Sequence, residues 1–235
     1  MATFVLIHGA WHGGWCYRDV ARSLRADGHN VFTPSLTGLG DRAHLASPDV
    51  DLETHVTDVV SLFEAEEIEN AVLCGHSYGG MVITGAAERL ADRLHALVYL
   101  DAFVPESGKC LLDLTAPERR QQIEAAAAKA GSFTLPVPPG VWKIADPEKD
   151  AWVSRRVVPH PMATMRQVLE HTDPWTRVAK RVFVLAEGNE GSPFHRYAER
   201  YRDDPAWTVV GVPCHHDVMV DEPALLTEIL LDASS

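Results

Sequence analysis

The sequence predicts a doubly wound α/β fold, a mostly parallel sheet of about six strands covered by helices on both faces. Three observations predict it. Short apolar or β-branched runs at residues 3–7, 31–33, 71–74, 96–100, 182–186 and 208–212 barely alternate between apolar and polar, as strands buried on both faces do. Amphipathic segments separate them, and strand–helix alternation implies parallel strands joined by helical crossovers. The alternation then breaks once, between Pro105 and Arg177. Each element has a local reason. Residues 15–26 read as a helix stopped by Gly28, which tolerates the left-handed conformation that ends helices. Residues 51–67 carry Leu52, Val56, Val59, Val60 and Phe63 on one face, with Asp51 placed to cap the first turn. A last helix begins near Pro223 and is marked by Leu225, Leu226, Ile229 and Leu230.

Within the break, a polar, Ala-rich helix at 117–130 is followed by Pro136, Pro138, Pro139, Gly140, Pro147, Pro159, Pro161 and Pro174. Trp142, Trp152 and Trp175 sit in the same stretch. A long segment without a strand signal, inserted between two sheet strands, reads as a helical cap. The expected organisation is a core of residues 1–104 and 178–235 with a cap of residues 105–177.

Composition limits the function. The 235 residues carry 33 acidic and 21 basic side chains, a formal charge of −12, which repels phosphate backbones and anionic lipid. Neither nucleic acid nor a membrane is expected as a partner. Apolar residues at 46% and charged residues at 23% exclude a disordered or collagen-like chain. No apolar stretch reaches the ~18 residues of a membrane span. The N-terminus lacks the basic region of a signal peptide, and Cys16, Cys74, Cys110 and Cys214 form no CxxC pair. A cytoplasmic location is the expectation. The expected oligomeric state is monomer or dimer.

The strongest motif is Gly75-His76-Ser77-Tyr78-Gly79, with a buried strand before it and a small-residue helix after it. The Gly-x-Ser-x-Gly pattern alone is weak. The strand–turn–helix context gives it meaning, because a nucleophile elbow strains the serine backbone and packs its neighbours too tightly for side chains. A serine nucleophile needs a base, and His215 and His216 follow the last strand directly. The Gly-rich bend His8-Gly9-Ala10-Trp11-His12-Gly13-Gly14-Trp15 follows the first strand and can aim a backbone N–H at the site, beside that of Tyr78. Nothing resembles a nucleotide-binding loop, and His8 and His12 lack partners at zinc-ligand spacing, so no cofactor or metal is expected.

Together these segments, with Leu100-Asp101-Ala102-Phe103-Val104-Pro105 and His216-Asp217-Val218-Met219, resemble the small α/β-hydrolases related to plant methylesterases, hydroxynitrile lyases and bacterial pyrethroid-hydrolase-type esterases. The resemblance covers nearly the whole chain. It implies an α/β-hydrolase fold, Ser77 as nucleophile, His216 as base, and an oxyanion hole from the N–H groups of Ala10 and Tyr78. The lyases have threonine where this chain has Gly9 and lysine where it has Asp217, so the resemblance implies an esterase. The acid departs from the plant pattern. Asn189 stands at the plant aspartate's position, and Asp101 stands where plant relatives have asparagine, as if the two were exchanged. Asp101 is the candidate acid, with Glu187 and Glu190 as alternatives.

The expected activity is a serine hydrolase cleaving a small, largely apolar carboxylic or carbamate ester through an acyl-enzyme. Trp11, Trp142 and Trp152 are candidate pocket residues, and Cys16 either lines the pocket or packs at the start of the first helix. A ligand-binding protein and a cofactor-free lyase or dioxygenase on the same scaffold are the alternatives.

Overall fold

The computed structural model describes residues 1–136, 138, 140–170 and 176–235. Pro139, Pro174 and Trp175 of the proline- and tryptophan-rich stretch lie outside them. Six strands form one parallel sheet: β1 (Thr3–Ile7), β2 (Asn30–Phe32), β3 (Ala71–His76), β4 (Leu94–Leu100), β7 (Lys180–Ala186) and β8 (Trp207–Val212). Their order is β2-β1-β3-β4-β7-β8, and every pairing is parallel. The α/β-hydrolase fold expected from the sequence is the one observed.

The absence of alternation along the strands has its explanation in two cores. Val5, Ile7, Leu73, Leu97, Tyr99 and Phe183 point to one face, where α2 (Leu52–Ala65) and α3 (Gly79–Leu90) pack. Phe4, Leu6, Val72, Cys74, Val98 and Val184 point to the other, against α1 (Arg18–Ala26) and α9 (Pro223–Ala233). Asp51 caps α2 as expected, its carboxylate accepting from the Thr54 amide at 2.9 Å. The chain crosses from β1 to the edge strand β2 and returns to β3 on the other side of β1. The C-terminal ends of β1 and β3 therefore flank the crevice where α/β sheets bind ligands.

Between β4 and β7 lie α4 (Pro117–Lys129), α5 (Pro147–Ser154), α6 (Ala163–Arg166) and two short strands, β5 (Phe133–Thr134) and β6 (His160–Pro161), paired antiparallel. The ribbon corrects the strandless reading of this segment. Strands of two residues, one ending in a proline, carry no periodicity to detect. Helices α7 (His195–Tyr201) and α8 (Val218–Asp221) complete the fold. Among the described residues no helix is long and apolar enough to cross a membrane, and no group of three or more His, Cys, Asp or Glu is arranged to hold a metal ion.

Candidate active site

Parallel strands place their C-terminal loops along one sheet edge, which brings together residues distant in sequence. Ser77 follows β3 with φ +54°, a left-handed backbone that a non-glycine residue adopts only when its surroundings impose it. The surroundings do so. Ser77 N–H donates to the Leu100 carbonyl at 3.2 Å, and the Ser77 carbonyl accepts from the Gly80 and Phe103 amides at 3.1 and 3.2 Å. A Cβ on Gly75 would lie 2.5 Å from the Gly79 carbonyl oxygen, and one on Gly80 would overlap that of Phe103. The small residues of the motif are a steric requirement of the turn.

Asp101, at the end of β4, has φ +41° and is fully buried. Its Oδ2 accepts from His216 Nδ1 at 2.6 Å and from Asn189 Nδ2 at 3.1 Å, and its Oδ1 accepts from the Ala186 amide at 3.2 Å. Asn189, the residue with which Asp101 looked exchanged, thus sits beside it. Glu187 and Glu190 are exposed, and among the described residues neither carboxylate bonds to His216. The His216 ring is stacked between Phe194 (centroids 5.5 Å, 10° between planes) and Trp142 (6.1 Å, 23°). His76 Nε2 donates to the His216 carbonyl at 3.0 Å. His215 contributes no ring bond to this arrangement among the described residues. No hydrogen bond joins Ser77 Oγ to His216 in this conformation; catalytic bonds of this kind commonly tighten only when substrate binds.

Trp11, in the loop after β1, has φ +64°. The Ala10 and Tyr78 amides on either side of the crevice donate to no other protein group among the described residues. His8 braces the loop, its Nδ1–H donating to the Gly9 carbonyl at 2.8 Å while Nε2 accepts from the Leu36 amide at 3.0 Å. Burial holds His8 neutral, its pKa pushed down to about 3.

Ala10, Trp11, Ser77 and Tyr78 open on a cavity of about 1060 Å³. Phe103, Leu111, Ile123, Met165 and Phe194 make its walls apolar, and Thr115, Arg119, Gln122 and Arg196 line its more polar part. Of the four candidate pocket residues, Trp11 alone lines this cavity among the described residues. Two expectations are corrected, those for Trp142 and Trp152, while Cys16 takes the packed alternative of its two readings. Trp142 packs behind the His216 ring and edge-on to His12, filling space beneath the loops. Trp152 packs edge-on to Trp15, with the Arg18 and Arg156 guanidinium groups each 4.6 Å from its ring. Cys16 packs with Phe4, Leu6 and Tyr17 in the core on the α1 side, where burial pushes its thiol pKa well up. Cys16 and Trp152 instead border a separate cleft of about 220 Å³. Conversely, the sequence reading missed Ile123, Met165 and Phe194. Ile123 was the detectable one, as a large aliphatic residue within an otherwise polar α4.

Comparison with known proteins agrees with this architecture. The model of the alpha/beta hydrolase family matches residues 4–229. A carbendazim hydrolyzing esterase from Nocardioides sp. (strain SG-4G) is 48% identical over 239 residues, covering 98% of each chain. Methylesterase 10 of Arabidopsis thaliana is 34% identical over 103 residues, which cover 43% of this chain and 38% of that one. Among solved structures, an extracellular α/β-hydrolase from a Paenibacillus species superposes with a TM-score of 0.87 over 99% of both chains, at 22% identity, which speaks for the fold. With the family model spanning nearly the whole sequence, the chain belongs to the alpha/beta hydrolase family, and its esterase relatives support a carboxylic-ester hydrolase.

Proposed function

We propose that this protein is a serine esterase that cleaves a largely apolar carboxylic or carbamate ester through a covalent acyl-enzyme, with Ser77, His216 and Asp101 as its triad. The observation that carries the reading is the 2.6 Å bond from His216 Nδ1 to the buried Asp101 carboxylate, with the His216 ring centroid 4.5 Å from that of His76, the neighbour in sequence of a serine in elbow geometry. A carboxylate on Nδ1 fixes the tautomer that leaves Nε2 free to accept a proton, and it stabilises the imidazolium that forms.

Ser77 Oγ attacks the ester carbonyl while His216 takes the hydroxyl proton. The negative charge on the tetrahedral carbonyl oxygen is held by the Ala10 and Tyr78 amides. His216 returns the proton to the leaving alkoxide, the C–O bond breaks, and the acyl group remains on Ser77. Water, deprotonated by His216, then attacks the acyl carbonyl, the bond to Ser77 Oγ breaks as His216 returns the proton to that oxygen, and the acid leaves. A carbamate ester follows the same course through a carbamoyl-enzyme, and the 48% identity to a carbendazim hydrolyzing esterase supports including that class. The apolar walls favour aromatic or alicyclic substrates over charged ones. A cavity of about 1060 Å³ is at the large end for small-molecule sites and admits a fused aromatic ring system. A ligand-binding protein on this scaffold would need no complete triad, and the Asp101–His216 bond weighs against that alternative.

The test is hydrolysis of a p-nitrophenyl ester and of an aryl methyl carbamate by wild type, Ser77→Ala and Asp101→Asn. Ser77→Ala should be inactive, and Asp101→Asn should lose about 10³–10⁴-fold in kcat. Turnover by Ser77→Ala at the wild-type rate would sink the proposal.

A further inference from the structure

We infer that the buried pair His12–Asp217 is a positioning device, tying the loop that carries Ala10 to the loop that carries His216. The inference rests on the serine-esterase reading above. In that reading an amide on the first loop and an imidazole on the second act on the same carbonyl. A misplacement of about 1 Å between such groups can cost about 10²-fold in rate. The sheet does not hold them together directly. Strands β3, β4 and β7 separate β1 from β8, roughly 19 Å at normal strand spacing. The loops converge only above the sheet, where something must fix their separation.

His12 and Asp217 span that gap. Both are buried, at 1% and 0% exposure. His12 Nδ1–H donates to the Ala10 carbonyl at 2.8 Å, and Nε2–H donates to Asp217 Oδ2 at 3.3 Å. Both ring nitrogens thus face acceptors, so the geometry itself calls for a doubly protonated ring. Burial opposes that charge, but the Asp217 carboxylate and the Ala10 carbonyl outweigh it and raise the imidazole pKa. His8, buried nearby with no carboxylate bonded to its ring, is held neutral, and so is His76, whose Nε2–H donates to the His216 carbonyl and whose Nε2 lies 4.0 Å from Asp217 Oδ1. Asp217 follows His216 in the chain, and the His216–Asp217 peptide is held again by His76 Nε2–H on the His216 carbonyl. The line of contact therefore runs from the Ala10 peptide through an imidazolium and a carboxylate to the backbone of His216. Trp15 stacked on the His12 ring at 5.3 Å and Trp142 set edge-on at 5.2 Å exclude water from it. Neither His12 nor Asp217 borders the substrate cavity, so their action is through position alone.

The experiment compares wild type, Ser77→Ala, His12→Gln, Asp217→Asn and the double variant His12→Gln/Asp217→Asn on a p-nitrophenyl ester, with thermal midpoints for each. The single variants should lose about 10–100-fold in kcat with KM within about threefold. Each leaves a buried charge unpaired and should melt lower, while the double variant, with no charge to strand, should melt above both. Its kcat should nevertheless stay about tenfold or more below wild type, because two amides cannot reproduce the link between loops. A double variant with wild-type kcat, or losses confined to KM, would overturn the inference. A second measurement needs no substitution of the pair. In wild type labelled with ¹⁵N-histidine, His12 should show two protonated ring nitrogens, and both resonances should shift when an aryl phosphonate reacts with Ser77. A singly protonated or unresponsive His12 overturns the inference by itself. Full turnover by Ser77→Ala overturns the esterase reading and the pair's role with it. Inactive Ser77→Ala alongside a fully active double variant overturns only the role of the pair.

Discussion

Asp101 Oδ2 accepts from His216 at 2.6 Å and from Asn189 at 3.1 Å, so the acid and the amide share one corner of the site. A buried carboxylate needs such donors, since each charge-assisted bond is worth about 1.5–3 kcal/mol. Position 101 also sits at φ +41°, where aspartate and asparagine are among the few side chains that the backbone tolerates. Exchanging the two residues therefore imposes no backbone penalty, and the geometry predicts that the exchange can be reversed. Asp101→Asn should remove about 10³–10⁴-fold of kcat. Adding Asn189→Asp should restore about tenfold or more of that loss, by offering His216 a carboxylate from the loop after the neighbouring strand β7. If the double variant is as slow as Asp101→Asn alone, position 189 cannot present an acid to His216 Nδ1. Gly9 belongs to the same scale. A Cβ there would lie 2.9 Å from His76 Nδ1 and 3.0 Å from Ser77 Cβ, so Gly9→Thr should displace one of them and lower kcat by about tenfold or more in steady-state kinetics.

At the scale of elements, the loop after β1 is gripped by the segment between β4 and β7. The Trp11 carbonyl accepts from the Val158 amide at 3.0 Å, and the Trp11 indole N–H donates to the Thr134 carbonyl of β5 at 3.0 Å. The strained backbone at Trp11 is thus held from both sides, and the short β5–β6 ribbon has a task in holding it. Trp11→Phe keeps an aromatic ring, though a smaller one, but leaves the Thr134 carbonyl without this donor, a loss of about 1 kcal/mol. Steady-state kinetics should show kcat/KM reduced about fivefold; an unchanged kcat/KM would detach the ribbon from the function of the loop. This layer of the molecule was also the hardest to read from sequence. Strands buried on both faces announce themselves by apolar runs, and the elbow by its glycines, so the six-stranded sheet and the position of Ser77 were legible. Asp101 was legible only as a comparison with related sequences. The direction taken by a tryptophan in a proline-rich loop has no periodic signature. Trp142 and Trp152 consequently looked like pocket residues, whereas one backs His216 and the other packs on Trp15 at the surface.

Across the whole molecule, the buried histidines set how stability responds to pH. Burial pushes His8 down to about 3 and His55 down to about 4, and it lowers His76 and His160 as well. For each of these the unfolded chain binds the proton more readily than the native one. Stability is therefore complete above about pH 6.5 and is lost as pH falls toward the folded-state values. At pH 4.5, two pH units below the free imidazole value, His8 and His55 each remove about 2–3 kcal/mol. That is a large share of the ~5–15 kcal/mol that holds a domain folded. The His12–Asp217 pair works in other windows. His12, raised, contributes in full below pH 6.5 and loses its share as pH rises through its folded value, while Asp217, lowered from 3.8 to about 2, holds its share down to about pH 3.8 and loses it as pH falls from there through about 2. Neither offsets the loss between pH 6.5 and 4.5. From His8 and His55 alone the melting temperature should accordingly fall by roughly 10–20 °C between pH 7 and 4.5, and His76 and His160 add to that fall. His55 joins Tyr78 Oη at 2.8 Å to the Thr37 carbonyl at 2.9 Å, so His55→Gln keeps polar atoms near both while removing the titrating ring. Its melting temperature should start lower at pH 7 and decline less steeply with acid. A wild-type melting temperature that stays level across this range would show that these rings accept protons without opening the core.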